Sequence, residues 1–71
     1  MTPDMSTQQI PPRWFASQER TIRHFTNCLR DGYTAKFDTL NDGRVKVTVY
    51  DRNNKVADIF AIDARGFTVA L

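Results

Sequence analysis

The chain is short of almost everything that catalysis or cross-linking uses. Its single cysteine, Cys28, rules out an internal disulfide. A single histidine, His24, joins that thiol, and the pair is too small for a four-ligand zinc site within one chain. The three glycines, Gly32, Gly43 and Gly66, stand apart and each is explained by a turn, so there is no glycine-rich phosphate loop. The longest purely apolar run, Ile59-Phe60-Ala61-Ile62, is far below the roughly 20 residues that span a bilayer. The opening MTPDMSTQQIPP has neither a basic n-region nor an apolar h-region, so no secretory signal is expected. A lone thiol fits a reducing compartment, and the expected location is the cytoplasm.

What is present bounds the rest. Seventy-one residues make one domain at most. A chain of this size buries only about 60% of the surface that its unfolded form exposes. Disulfides and metals being excluded, self-association is the remaining way to add burial. Ten basic and eight acidic residues leave a net charge of +2, too small a balance to establish nucleic-acid binding. The excess sits in the front half, where Arg13, Arg20, Arg23, Arg30 and Lys36 face Asp4, Glu19 and Asp31.

Residues 1–12 are polar and hold three prolines, which predicts a flexible lead-in to a single domain over 13–71. A helix is expected from Ser17, a good N-cap, with Glu19 suited to the positive end of the dipole. Ile22, Phe25 and Leu29 follow the i, i+3, i+7 spacing of a buried stripe. Arg30 is expected in the last turn, and Asp31-Gly32 ends the run, with Gly32 fit for a left-handed C′ position. Strands follow over about 33–40, 44–51 and 55–63. The turns between them are Asn41-Asp42-Gly43 and Asn53-Asn54. Ala64-Arg65-Gly66 turns the chain once more before FTVAL, a short terminal strand. The expected fold is α+β, one N-terminal helix packed across a three- to four-stranded antiparallel meander, αβββ with a short terminal strand.

Side chains alternate along a strand, so Val45, Val47 and Val49 share one face and Arg44, Lys46, Thr48 and Tyr50 the other. The valines are expected to meet Ile22, Phe25 and Leu29, joined by Ala35 and Phe37. The third strand does not alternate cleanly. Ala57, Ile59 and Ala61 hold one parity; Val56, Asp58, Phe60 and Ile62 hold the other. If Ile59 faces the helix, then Val56, Phe60 and Ile62 form an exposed apolar patch beside Tyr50. A reversed parity, or a bulge midway, shrinks that patch.

Two surfaces emerge as candidate binding sites. At 100° per residue, Arg20, Arg23, His24, Asn27 and Arg30 cluster opposite the apolar stripe. Such a face suits phosphate or an acidic partner protein. The outer sheet face presents Arg44, Lys46, Thr48 and Tyr50, with Phe60 as a further aromatic and Lys36 beside them. It suits protein contact, a second copy of the chain being the first candidate, better than single-stranded nucleic acid. His24 and Cys28 at i, i+4 are read as an exposed-edge histidine and a partly buried cysteine. Asp58 is expected to pair with Lys46 or Arg44 across the sheet, or to guard an edge.

The layout of 17–63, a helix then a meander with an Asp-Gly hairpin, resembles several families of very small bacterial and phage proteins. It carries no diagnostic motif and transfers no site residues. The expected function is a small non-catalytic binding protein without cofactor or metal, of the inhibitor, adaptor or regulator type, using a protein–protein surface. Its partner would be an acidic protein surface or a second copy; the alternative is a nucleic-acid-binding module using the basic helix face.

Overall fold

The chain enters its helix through an aromatic pair, Trp14 and Phe15. The computed structural model describes residues 14–71, so the expectations for residues 1–12 and for a boundary at 13 lie outside it. Helix α1 runs over Ala16–Asn27. Phe15 is its extended N-cap residue, at φ −68° and ψ 153°. The free N–H of Phe15 is met by the side chain of Gln18, whose Oε1 accepts it at 2.9 Å. Ser17, expected as the cap, lies instead inside the first turn, where its hydroxyl donates to the carbonyl of Ala64 at 2.8 Å. The helix also stops earlier than its sequence spacing predicts. Cys28 is the C-cap, and Gly32 takes its positive φ of 83° in the following turn, closed by Tyr33 N–H donating to Arg30 C=O. Leu29 and Arg30 therefore lie beyond the helix, although Leu29 still packs on the core.

Four strands follow: β1 Thr34–Thr39, β2 Val45–Tyr50, β3 Val56–Ile62 and β4 Thr68–Val69. They pair antiparallel in chain order, so the fold is the expected α+β meander with its short terminal strand. Three hairpins of one design join them. In each, a backbone N–H and C=O on the first residue bond residues four and three further on, at 40–44, 51–55 and 63–67. The fourth position of each takes positive φ: Gly43 at 92°, Asn54 at 65° and Gly66 at 91°. This is the three-residue hairpin loop, whose last loop residue must enter the left-handed region. Glycine and asparagine are the residues that do so at least cost.

The register settles the third strand. Val45, Val47 and Val49 face the helix, and opposite them on β3 stand Ile62, Phe60 and Asp58. Phe60 and Ile62 are therefore inside, and Ile59 and Ala61 point away: the reversed parity. A bulge is present as well. Val49 pairs with Asp58 but Tyr50 with Val56, which leaves Ala57 as the extra residue and turns Val56 to the outer side beside Tyr50. The core is Ile22, Val45, Val47, Val49 and Ile62, ringed by the half-buried Trp14, Phe25, Leu29, Tyr33, Ala35, Phe37 and Phe60. Each fully buried aliphatic side chain contributes about 1.5–3 kcal/mol, so five of them leave little margin.

Polar side chains hold the helix in place. Gln18 is fully buried. Its Nε2 donates to the carbonyls of Gly43 at 2.9 Å and Asp63 at 3.1 Å, with Ile62 C=O at 3.4 Å. The hairpin after β1 and the hairpin after β3 lie at the same end of the sheet, and this one carboxamide joins both to the start of α1. One turn on, the Thr21 hydroxyl donates to Gly66 C=O at 2.6 Å. Gly66 sits so close to the helix that a Cβ there would lie 2.7 Å from the Ser17 carbonyl oxygen.

Gln18→Ala leaves two part-buried carbonyls without their donor and opens a void, and is expected to cost about 2–4 kcal/mol by urea denaturation. Gln18→Glu is expected to be no better, because a carboxylate cannot donate to carbonyls; wild-type stability in that variant would contradict the role. Gly66→Ala and Gly43→Ala share the cost of placing alanine at positive φ, about 1–2 kcal/mol. Only Gly66→Ala also collides with α1, since nothing lies within 4 Å of a Cβ at Gly43. The larger loss is therefore expected at Gly66, and equal losses would show that the close helix contact is unimportant.

Candidate functional site

The outer face of the sheet follows directly from the register. Thr34, Lys36 and Asp38 of β1 lie beside Tyr50, Thr48 and Lys46 of β2. Beyond these come Val56, Ile59 and Ala61 of β3 and Val69 of β4. Phe67 shares the parity of Val69 and lies under the Arg65 guanidinium, 5.1 Å from the ring centre. Thr48 and Ala61 are small, buried residues in the middle of this face, flanked in the register by Lys36 and Ile59 in one case and by Lys46 and Val69 in the other. Around them the large apolar side chains stand out: Val56 is 55% exposed, Ile59 42% and Phe67 59%. One half of the face is thus basic and polar, the other apolar.

Of the outer-face residues expected from sequence, Lys46, Thr48 and Tyr50 lie there together. Arg44 is on the same side but engaged within its own turn, with Nε donating to Asp42 Oδ2 at 2.8 Å. Phe60 does not belong to this face. It lies on the helix side, edge-to-face with Phe25 at 5.4 Å between ring centres. An apolar patch survives because the reversed parity turns Ile59 outward, the bulge keeps Val56 there, and the terminal hairpin adds Phe67 in place of Phe60 and Ile62. The sequence showed both parities of the third strand to be apolar, and that is why neither could be selected from it.

The basic helix face is also divided. Arg20, Arg23, His24 and Asn27 are exposed on α1. Arg30 lies past the helix, 6.0 Å over the Tyr33 ring, at a polar cleft of about 230 Å³ lined by Arg30, Tyr33, Asp51, Arg52 and Asn53. Arg52, which no helix or strand spacing marks in the sequence, donates from Nε to the Asp31 carbonyl at 3.0 Å. Among the described residues the ion pairs are Arg44–Asp42 and Arg65–Asp63, and neither uses Arg20, Arg23 or Arg30. His24 Nε2 and Cys28 Sγ are 3.8 Å apart, and Cys28 is exposed rather than partly buried.

A third feature is a shallow groove of about 440 Å³ between α1 and the β3–β4 side, lined by Phe25, Asp58, Phe60, Thr68, Val69 and Ala70. Asp58 faces the helix side, opposite Val49, whereas Lys46 and Arg44 lie on the other side, so the expected cross-sheet pair does not form. Asp58 does stand on a local edge, since β4 pairs only with Ala61 and Ile62. Its Oδ1 accepts the Ile59 N–H at 2.9 Å.

Comparison with known proteins finds no matching family model, no matching curated protein and no matching solved structure, so function rests on the geometry.

Two turn carboxylates have shifted titrations. The Arg44 backbone N–H, then its guanidinium, hold Asp42 below the ordinary carboxyl value of 3.8. The backbone N–H groups of Phe67 and Arg65 do the same for Asp63. A depressed folded pKa contributes stability above the unfolded value and loses it as pH falls through the folded one. Thermal stability is therefore expected to stay level above about pH 5 and to drop as pH falls below 3.8. Asp63→Asn keeps an acceptor but does not titrate, and should flatten part of that drop. An unchanged acid profile in that variant would contradict the assignment.

Proposed function

We propose that this protein is a small, non-catalytic cytoplasmic binding protein, an inhibitor, adaptor or regulator that docks on another protein through the outer face of its sheet. The observation that carries the reading is the exposed run of Val56, Ile59 and Phe67 along the β3–β4 half of this face, from Val56 beside Tyr50 at one end to Phe67 at the other, bordered by Lys36 and Lys46. An apolar patch with a charged margin is the make-up of a protein interface. It fits a partner with an apolar centre and an acidic rim. The pockets among the described residues are open and shallow, which suits action by occupying a surface, as inhibitors and adaptors do.

A second reading, nucleic-acid binding through Arg20, Arg23 and His24, is favoured by the freedom of those arginines from the ion pairs of the described residues. The move of Phe60 to the helix side removes an aromatic from the outer sheet face, so that face offers less for stacking single-stranded bases and the helix face is left as the nucleic-acid candidate. Capture from a cell lysate separates the two. Wild-type protein is expected to retain its partner after nuclease treatment. Ile59→Asp is expected to lose it about tenfold or more, and Arg20→Ala/Arg23→Ala to keep it. Capture that vanishes with nuclease and weakens steeply with salt would transfer the function to the helix face.

A further inference from the structure

Strand β1 is a full-length edge. Among the described residues it lies outermost in the sheet and spans six residues, against two in β4 at the other edge. The hairpin fixes which of its backbone groups point outward. Leu40 N–H donates to Arg44 C=O, which makes 40 and 44 a hydrogen-bonded pair. Counting back in twos, Asp38–Lys46, Lys36–Thr48 and Thr34–Tyr50 are the other hydrogen-bonded pairs. The N–H and C=O groups of Ala35, Phe37 and Thr39 therefore point away from the sheet.

We propose that β1 pairs antiparallel with β1 of a second copy, about a two-fold axis at Phe37, joining two sheets into one of eight strands. Only registers that set odd residues against odd residues use the outward groups. Centring on Lys36 sets Lys36 against Lys36, and centring on Asp38 sets Asp38 against Asp38. Like charges directly opposite are unfavourable. Centring on Phe37 sets Lys36 against Asp38 of the second copy, twice. These are non-hydrogen-bonded positions, where facing Cα atoms come within about 4.5 Å and side chains are closest. A charge on an edge strand ordinarily deters pairing. Here the opposite charge two residues on turns that deterrent into a code for one register.

The inner side of the joint agrees. Phe37 is half-buried, with Trp14 edge-on at 6.0 Å, and Trp14 Nε1 donates to Thr39 Oγ1 at 3.2 Å. Pairing brings two Phe37 rings and two Trp14 rings together and completes their burial. A two-fold axis through the sheet puts both helices on one side. Both outer faces then lie on the other side, side by side. The second copy thus meets the edge and leaves the outer face open, so this inference stands or falls independently of the proposed docking on a foreign protein.

Charge exchange in the full chain tests it. Sedimentation equilibrium over roughly 10–500 µM is expected to show a monomer–dimer equilibrium. Lys36→Asp and Asp38→Lys are each expected to raise the dimer Kd about tenfold, since each replaces two attractions by two repulsions. The double exchange K36D/D38K restores the pairing and is expected to return Kd to within a few-fold of wild type. In wild type, amide exchange at Ala35, Phe37 and Thr39 is expected to slow as concentration rises. A strict monomer across that range would overturn the proposal. So would a dimer indifferent to both single exchanges, or edge amides whose protection does not depend on concentration.

Discussion

The buried carboxamide of Gln18 fixes the geometry on which the rest depends. It uses its acceptor on the first free N–H of the helix and its donors on the ends of two hairpins. Unpaired polar groups in a dry interior cost more than paired ones return, so this side chain tolerates one arrangement and penalises others. A helix packed on a sheet by apolar contact alone can slide, because valine and isoleucine surfaces are not directional. The Gln18 donors, with the hydroxyls of Ser17 and Thr21 on Ala64 and Gly66, set both the position and the direction of α1.

From that fixture follows the division of the sheet. The face that receives the helix holds Val45, Val47, Val49, Phe60 and Ile62, and its partner face keeps Tyr50, Val56 and Ile59. The bulge at Ala57 has a definite consequence: without it Val56 would not stand beside Tyr50. The terminal hairpin extends the same surface through Phe67 and Val69. A molecule with so small a core leaves a sizeable apolar area outside it, and the arrangement gathers part of that area in one place.

Much of this plan was legible in the residues. Asp-Gly, Asn-Asn and Arg-Gly marked the three hairpins because few residues accept positive φ, and the valine alternation of β2 identified the helix-facing side. The N-terminus of the helix was misplaced for a specific reason. Serine is the commoner cap, but here Gln18 reaches back to Phe15 and frees Ser17 to bind the distant Ala64 carbonyl, a partner 47 residues away that local sequence does not disclose. Gln18 itself carried no signal, because a glutamine on a helix is ordinarily solvated. Helix periodicity carried on through Leu29 and Arg30, yet the chain had to turn at 30–33 to begin β1, and tertiary demand overrode the spacing. The candidate site was legible in part. Lys46, Thr48 and Tyr50 were placed by β2 alone, whereas the β3 contribution needed the register, since both of its faces are apolar.

The helix covers the centre of one sheet face, over Val45, Val47 and Ile62, and leaves Val56 and Ile59 on the other face exposed. Relaxation of methyl resonances by a soluble paramagnetic probe measures this directly. Strong broadening is expected for the Ile59 and Val56 methyls, with those of Ile62, Val45 and Val47 protected. Protection of Ile59 together with broadening of Ile62, or protection of both, would contradict it.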